Sequence, residues 1–270
     1  MWNDLVQMFS YPFMTRALLV GILVSLCAAV LGVTLVLKRY SMIGDGLSHV
    51  GFGALAVAAA FQIAPLYLAV PVVFGAALIL LWISETGKMK GDAAIALFST
   101  GALALGVMIV SMTKGMNADL NNYMFGSILA MSEEDVRLSV ILTVAVLLLY
   151  VLFYHKIFAV TFDETFAKAT GVKVGLYRAV LAFLIAITIV LGMRMMGTLL
   201  ISSLIIFPAL TAMRVCRDFK SVILCSVVLA MISFTVGLAV SYMLATPTGA
   251  SIVVVDMVFF LIFSIIGARK

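Results

Sequence analysis

Nine apolar runs, each close to the length of a membrane crossing, follow one another at 17–37, 42–61, 66–84, 93–112, 137–154, 176–193, 195–213, 221–244 and 251–267. A helix needs about 20 residues to cross about 30 Å of hydrocarbon. A backbone in lipid must satisfy its own hydrogen bonds, and the alternating polarity of a barrel strand is absent from these runs. The pattern therefore predicts an all-α fold, a polytopic membrane bundle of about nine transmembrane helices, with eight and ten as the alternative counts. With 65% of residues hydrophobic and only 11% charged, a water-soluble fold is excluded. The loops left over hold no catalytic domain, no G-x-x-x-x-G-K-[ST] phosphate loop and no Gly-rich nucleotide fingerprint. Energy for any transport must come from elsewhere.

The first run, 17–37, is too long for a signal-peptide core and is expected to stay as a span. A shorter apolar piece at 120–130 decides the crossing count. If it does not cross, 13 of the 17 Lys and Arg residues share one side. That side is cytoplasmic by the positive-inside rule, with the N-terminus outside and the C-terminus inside. The basic residues occur as short clusters between spans, so the net charge of +5 encodes orientation rather than nucleic-acid binding. Cys27, Cys216 and Cys225 lack C-x-x-C spacing and are expected to be free thiols. Two spans meet near Arg194 with almost no loop, flanked by Gly192 and Gly197. A tight helical hairpin and a broken, re-entrant segment are the two readings there. No internal repeat is visible, and 1–270 reads as one membrane domain.

Three ionisable residues fall inside spans and need a reason: Asp45, His49 and Asp256. Asp45 and His49 are four residues apart, on one helix face and about 6 Å apart along the axis. A carboxylate and a neutral imidazole suit Zn²⁺ or Mn²⁺, and two protein ligands plus water bind weakly enough to release the ion. The competing reading makes Asp45 a helix cap, paired with Lys38 or Arg39, while His49 bonds a backbone carbonyl. Gly44, Gly46, Gly51 and Gly53 around the pair permit close helix approach or local unwinding. Asp256 lies about five residues into the last run. A role lining the path, pairing with a neighbour and snorkelling are its three readings.

The stretch 158–175 places Phe162, Phe166 and Ala169 along one face of a short helix, with Asp163, Glu164 and Lys168 elsewhere and Gly171 as its C-cap. Such a helix docks into a groove of a soluble partner or lies on lipid headgroups. Ser132 with Asp135 reads as a helix cap, and the methionines at 193, 195 and 196 read as packing residues.

Taken together, LKRYSMIGDGLSHVGFGALA at 37–56, DLNNYMFGSILAMSEEDV at 119–136, TFDETFAKATGV at 161–172, MGTLLISSLIIFPALTA at 196–212 and TPTGASIVV at 246–254 resemble the membrane permease of bacterial ABC importers for divalent metals. This is the family that takes up zinc, manganese and iron. The resemblance implies a type II ABC-importer fold in the bacterial cytoplasmic membrane. It further implies a homodimer, two cytoplasmic ATP-binding subunits, an extracytoplasmic metal-binding protein, no permanently bound cofactor and no enzymatic activity of the permease itself. By the same resemblance Asp45 and His49 belong to the metal path, and the coupling helix near 162–172 includes Phe162, Asp163, Glu164, Phe166, Ala167 and Gly171. Zinc is the expected ion, with manganese or iron as alternatives. A secondary transporter driven by an ion gradient and a non-transporting scaffold are the rival readings. Phe52-Gly53 stands where many relatives carry Pro-Gly, and Asp256 is not a residue of the family pattern.

Overall fold

The computed structural model describes residues 10–86, 91–113 and 133–268. Ten helices occur among them: α1 (Pro12–Leu37), α2 (Ile43–Ala60), α3 (Pro65–Thr86), α4 (Gly91–Met112), α5 (Glu133–Phe162), α6 (Glu164–Ala169), α7 (Val174–Met196), α8 (Thr198–Val215), α9 (Phe219–Leu244) and α10 (Thr248–Ala268). All except the six-residue α6 are long and apolar enough to cross a membrane. The nine runs thus become nine helices, most of them longer than hydropathy alone marks. Helix formation continues into flanking polar residues until a breaker intervenes, as where α5 continues to Phe162 before Asp163. The apolar piece at 120–130, Ser132 and the basic residues Lys88, Lys90, Lys114, Arg269 and Lys270 lie outside the described residues.

The chain packs as two units, passing from one to the other within α1, α5 and α7. One comprises residues 34–121 and 145–190. In it α2 lies against both α3 and α4, and the α2–α4 seam is made by glycines two turns apart. A Cβ on Gly53 would stand 2.7 Å from the Ala102 carbonyl oxygen, and one on Gly46 would stand 2.6 Å from Ile95 Cγ2. Close approach is therefore what these glycines provide; α2 is helical throughout and does not unwind. Phe52 is fully buried, its ring set against Gly106 of α4, so the departure from Pro-Gly is filled by packing. Elsewhere in this unit Thr34 Oγ1 and Tyr150 Oη share a hydrogen bond of 3.0 Å.

The other unit comprises residues 1–33, 122–144 and 191–270, with α8, α9 and α10 packed on one another. Here a Cβ on Gly237 of α9 would stand 2.5 Å from the Ile252 Cα of α10. The join near Arg194 is a sharp break. Gly197 alone separates α7 from α8, at φ 84° and ψ 166°, a conformation open to glycine and strained for other residues. The side chain of Ile201 reaches the α-carbon face of Gly192. Nine residues of straight helix would hold those two about 13 Å apart, so the chain bends at Gly197. Cys27, Cys216 and Cys225 are all free.

Candidate functional site

Asp45 sits in the first turn of α2, where a negative charge is favoured by the helix dipole, yet it is not a cap. The N-cap is Met42, which makes no side-chain cap hydrogen bond. His49 follows one turn later, and its Nε2 stands 3.8 Å from Asp45 Oδ2. The two side chains are 41% and 19% exposed respectively, on a helix that ties with α1 as the most buried of the spans, 72% of its apolar window being covered. Of the competing reading, the Lys38 pairing is not realised, because Lys38 is engaged by Glu164; the buried His49 Nδ1 has no hydrogen-bond partner among the described residues. An imidazole held beside a carboxylate with one nitrogen unsatisfied has spare coordinating and hydrogen-bonding capacity. Among the described residues no three His, Cys, Asp or Glu side chains come together as a metal cluster, so one protomer offers a pair here.

The second candidate element is α6. Its six residues are too few to hold a helix alone, and the structure fixes both ends. Asp163, extended at φ −150°, accepts a hydrogen bond of 2.9 Å from the Phe166 amide. At the other end Gly171 takes φ 80°, and the Gly171 and Val172 amides donate to the carbonyls of Lys168 and Ala167 at 3.0 and 2.9 Å. This is the Schellman arrangement that a glycine after the helix permits. Ala167 is buried with Val160 and Val174, while Phe166 is 63% exposed. The helical part is 164–169, narrower than the expected 162–172. Phe162 is the last residue of α5, because the extended Asp163 breaks the helix there. The apolar residues foreseen on one face, Phe162, Phe166 and Ala169, are all exposed.

Glu164 holds α6 laterally. Its carboxylate accepts from Lys38 Nζ at 2.6 Å and from Arg178 at 2.9 Å. Burial raises its pKa, but the Lys38 hydrogen bond and charge, with Arg178 beside them, outweigh this and hold the carboxyl below the ordinary value of 4.5. Lys38 and Arg178 are the members of this group that sequence reasoning missed. Nothing local marks the first pair, since 126 positions separate Lys38 from Glu164.

Asp256 is eight residues into α10, which starts three residues earlier than the apolar run. It is 2% exposed, with Ser233 of α9 nearby, whose hydroxyl donates to the Ala230 carbonyl at 3.2 Å, and with Oδ2 unpartnered among the described residues. It is therefore turned into the fold and does not snorkel to water. It lies in the unit of α8–α10, whereas Asp45 and His49 lie in the other.

Nine apolar helices among the described residues, an Asp–His pair on a buried span and an exposed capped helix define a polytopic α-helical membrane protein carrying a candidate cation site. The model of the ABC 3 transport family matches residues 10–267, and the chain belongs to that family. It is 31% identical to the high-affinity zinc uptake system membrane protein ZnuB of Haemophilus influenzae, over 93% of this chain and 97% of that one. It is 30% identical to the manganese import system permease protein ScaB of Streptococcus gordonii, over 100% and 97%. The solved structure of PsaBC from Streptococcus pneumoniae in complex with Fab has a TM-score of 0.87 at 30% identity, covering 97% of this chain and 94% of the matched chain.

Proposed function

We propose that this chain is the permease subunit of an ATP-binding-cassette importer that moves a divalent metal ion into the cytoplasm across the bacterial cell membrane, as a single permease domain. The observation that carries the metal reading is the Asp45–His49 pair, with 3.8 Å between Nε2 and Oδ2 on a largely buried span. The names of the relatives, one for zinc and one for manganese, support the class of cargo. The imidazole favours zinc within it, and manganese or iron(II) is the alternative.

On this reading the permease performs no covalent chemistry. ATP binding and hydrolysis in two cytoplasmic partner subunits move α6, an external binding protein delivers the ion, and the path opens to one side and then the other. Two protein ligands hold an ion loosely. If the permease is a homodimer with the path on its dyad, two such pairs supply four donors for transient tetrahedral coordination. The ligating imidazole is neutral and the carboxylate ionised, so capture releases any proton they hold. Asp256, turned into the α9–α10 contact, is read as a packing carboxyl.

The test is ATP-driven uptake of Zn²⁺, Mn²⁺ and Fe²⁺, one at a time, by vesicles holding permease, ATP-binding subunits and binding protein. Uptake of at least one ion that requires ATP and survives an uncoupler is expected. Uptake without ATP that collapses with the uncoupler would establish the gradient-driven rival, and movement of no ion would leave a scaffold.

A further inference from the structure

We infer that Glu164 is the positioning residue through which α6 moves the metal pair, acting as a clamp on Lys38 and Arg178. This rests on the reading of α6 as the element that receives the ATP-driven motion. Four attachments hold α6, and they differ in what they can transmit. The Asp163 cap and the Gly171 turn satisfy the helix's own amides and carbonyls; they shape α6 without tying it to another span. The Ala167 contact with Val160 and Val174 joins it to α5 and α7, its immediate neighbours along the chain, through dispersion forces that are weak atom by atom and have no preferred direction. Among the described residues, the Glu164–Lys38 pair is the attachment that reaches a helix distant in sequence.

Its geometry suits transmission. Lys38 is only 8% exposed and Arg178 19%, so the pairs are shielded from the solvent and salt that weaken surface ion pairs. Charge-assisted bonds at 2.6 and 2.9 Å are directional. Lys38 is itself fixed. It caps the C-terminus of α1, the next residue, Arg39, takes the left-handed conformation at φ 61°, and the Tyr40 amide closes the turn on the Leu35 carbonyl at 2.8 Å. The chain then enters α2 at Ile43, and Asp45 stands seven residues beyond Lys38. A displacement of the exposed Phe166 face is thus carried from the Glu164 carboxylate to the α1–α2 turn and so to the first turn of the helix bearing Asp45 and His49. Arg178, in the second turn of α7, holds the other carboxylate oxygen, so that α6 moves with α1 and α7 together.

The complex of permease, ATP-binding subunits and binding protein, assembled in vesicles with ATP, tests this through two quantities measured together: ATP hydrolysed and metal ions moved. Lys38→Met keeps the length and burial of the side chain and removes its charge. It is expected to leave co-purification with the ATP-binding subunit and ATP hydrolysis in place while ions moved per ATP fall about tenfold, a change within the usual range of coupling between sites. Arg178→Met is expected to act in the same direction, and Lys38→Arg to restore at least half of the ratio. An unchanged ratio in Lys38→Met overturns the clamp, as does a Lys38→Arg variant no better than Lys38→Met. Loss of assembly in both methionine variants overturns it as well, because the pairs then serve folding alone. A wild-type complex that moves no ion under ATP defeats the functional reading itself, which separates the two failures.

Discussion

The first turn of α2 and the first turn of α6 each carry an acidic residue with a basic one in reach, and the two are finished differently. At Glu164 both carboxylate oxygens are engaged in short ion pairs, with a cap at each end of the helix and a buried alanine beneath. Around Asp45 and His49 the pair stands at 3.8 Å, beyond hydrogen-bond length, and the buried Nδ1 has no acceptor among the described residues. A buried polar atom left unsatisfied costs about 1–3 kcal/mol; Asp256 Oδ2 is in the same position, so what sets the first pair apart is the imidazole beside a carboxylate. The closed group is suited to carrying force and the open pair to meeting a visitor.

Substitution of the open pair gives the largest expected effect. Asp45→Ala and His49→Ala should each reduce metal uptake by cells to that of cells lacking the permease, at unchanged membrane content of the protein. Normal uptake in both would abolish the contrast. The Glu164 group should respond to strong acid. Because the Glu164 pKa is lowered, its contribution to stability is complete above the unfolded value of 4.5 and is lost as pH falls through the lower folded value. Hydrogen-exchange protection of the 166–172 amides should therefore be level between pH 8 and pH 6 and fall below pH 4.5; a decline already at pH 6 would show that another group holds α6. Gly171→Ala should cost about 1 kcal/mol of local stability, because φ 80° is strained for alanine although the space is open. The same exchange measurement reads it as roughly a fivefold loss of protection. The smallest change is expected at Asp256→Asn. An amide matches the carboxyl in size and fills the same place between α9 and α10, so uptake should stay within about twofold of wild type. Abolished uptake would move Asp256 from packing to the path.

Much of this was legible in the chain. The spans announce themselves because lipid tolerates one kind of segment, and the Gly171 stop of α6 follows from the rarity of positive φ in other residues. Asp45 and His49 could be placed on one face from their spacing alone. Helix ends were legible only to within a few residues. Hydropathy marks where side chains become polar, whereas the helix stops where the backbone does, as at Asp163. The break at Gly197 is open between two readings in the sequence, which shows a glycine but not its dihedral. Lys38 is the least legible: seven residues before Asp45 in the sequence, it reads as that residue's partner. Its actual counterpart is set by how α6 folds back, which no local pattern records.

The length of α5 has a consequence of its own. Its 30 residues make a rod of about 45 Å against about 30 Å of hydrocarbon. Even at the average tilt of about 20° it overshoots by roughly 12 Å. Residues such as His155 and Lys156, both exposed, mark the wet part of that rod, and α6 follows at its tip after a single residue. The short helix is carried out of the hydrocarbon on the end of a projecting rod.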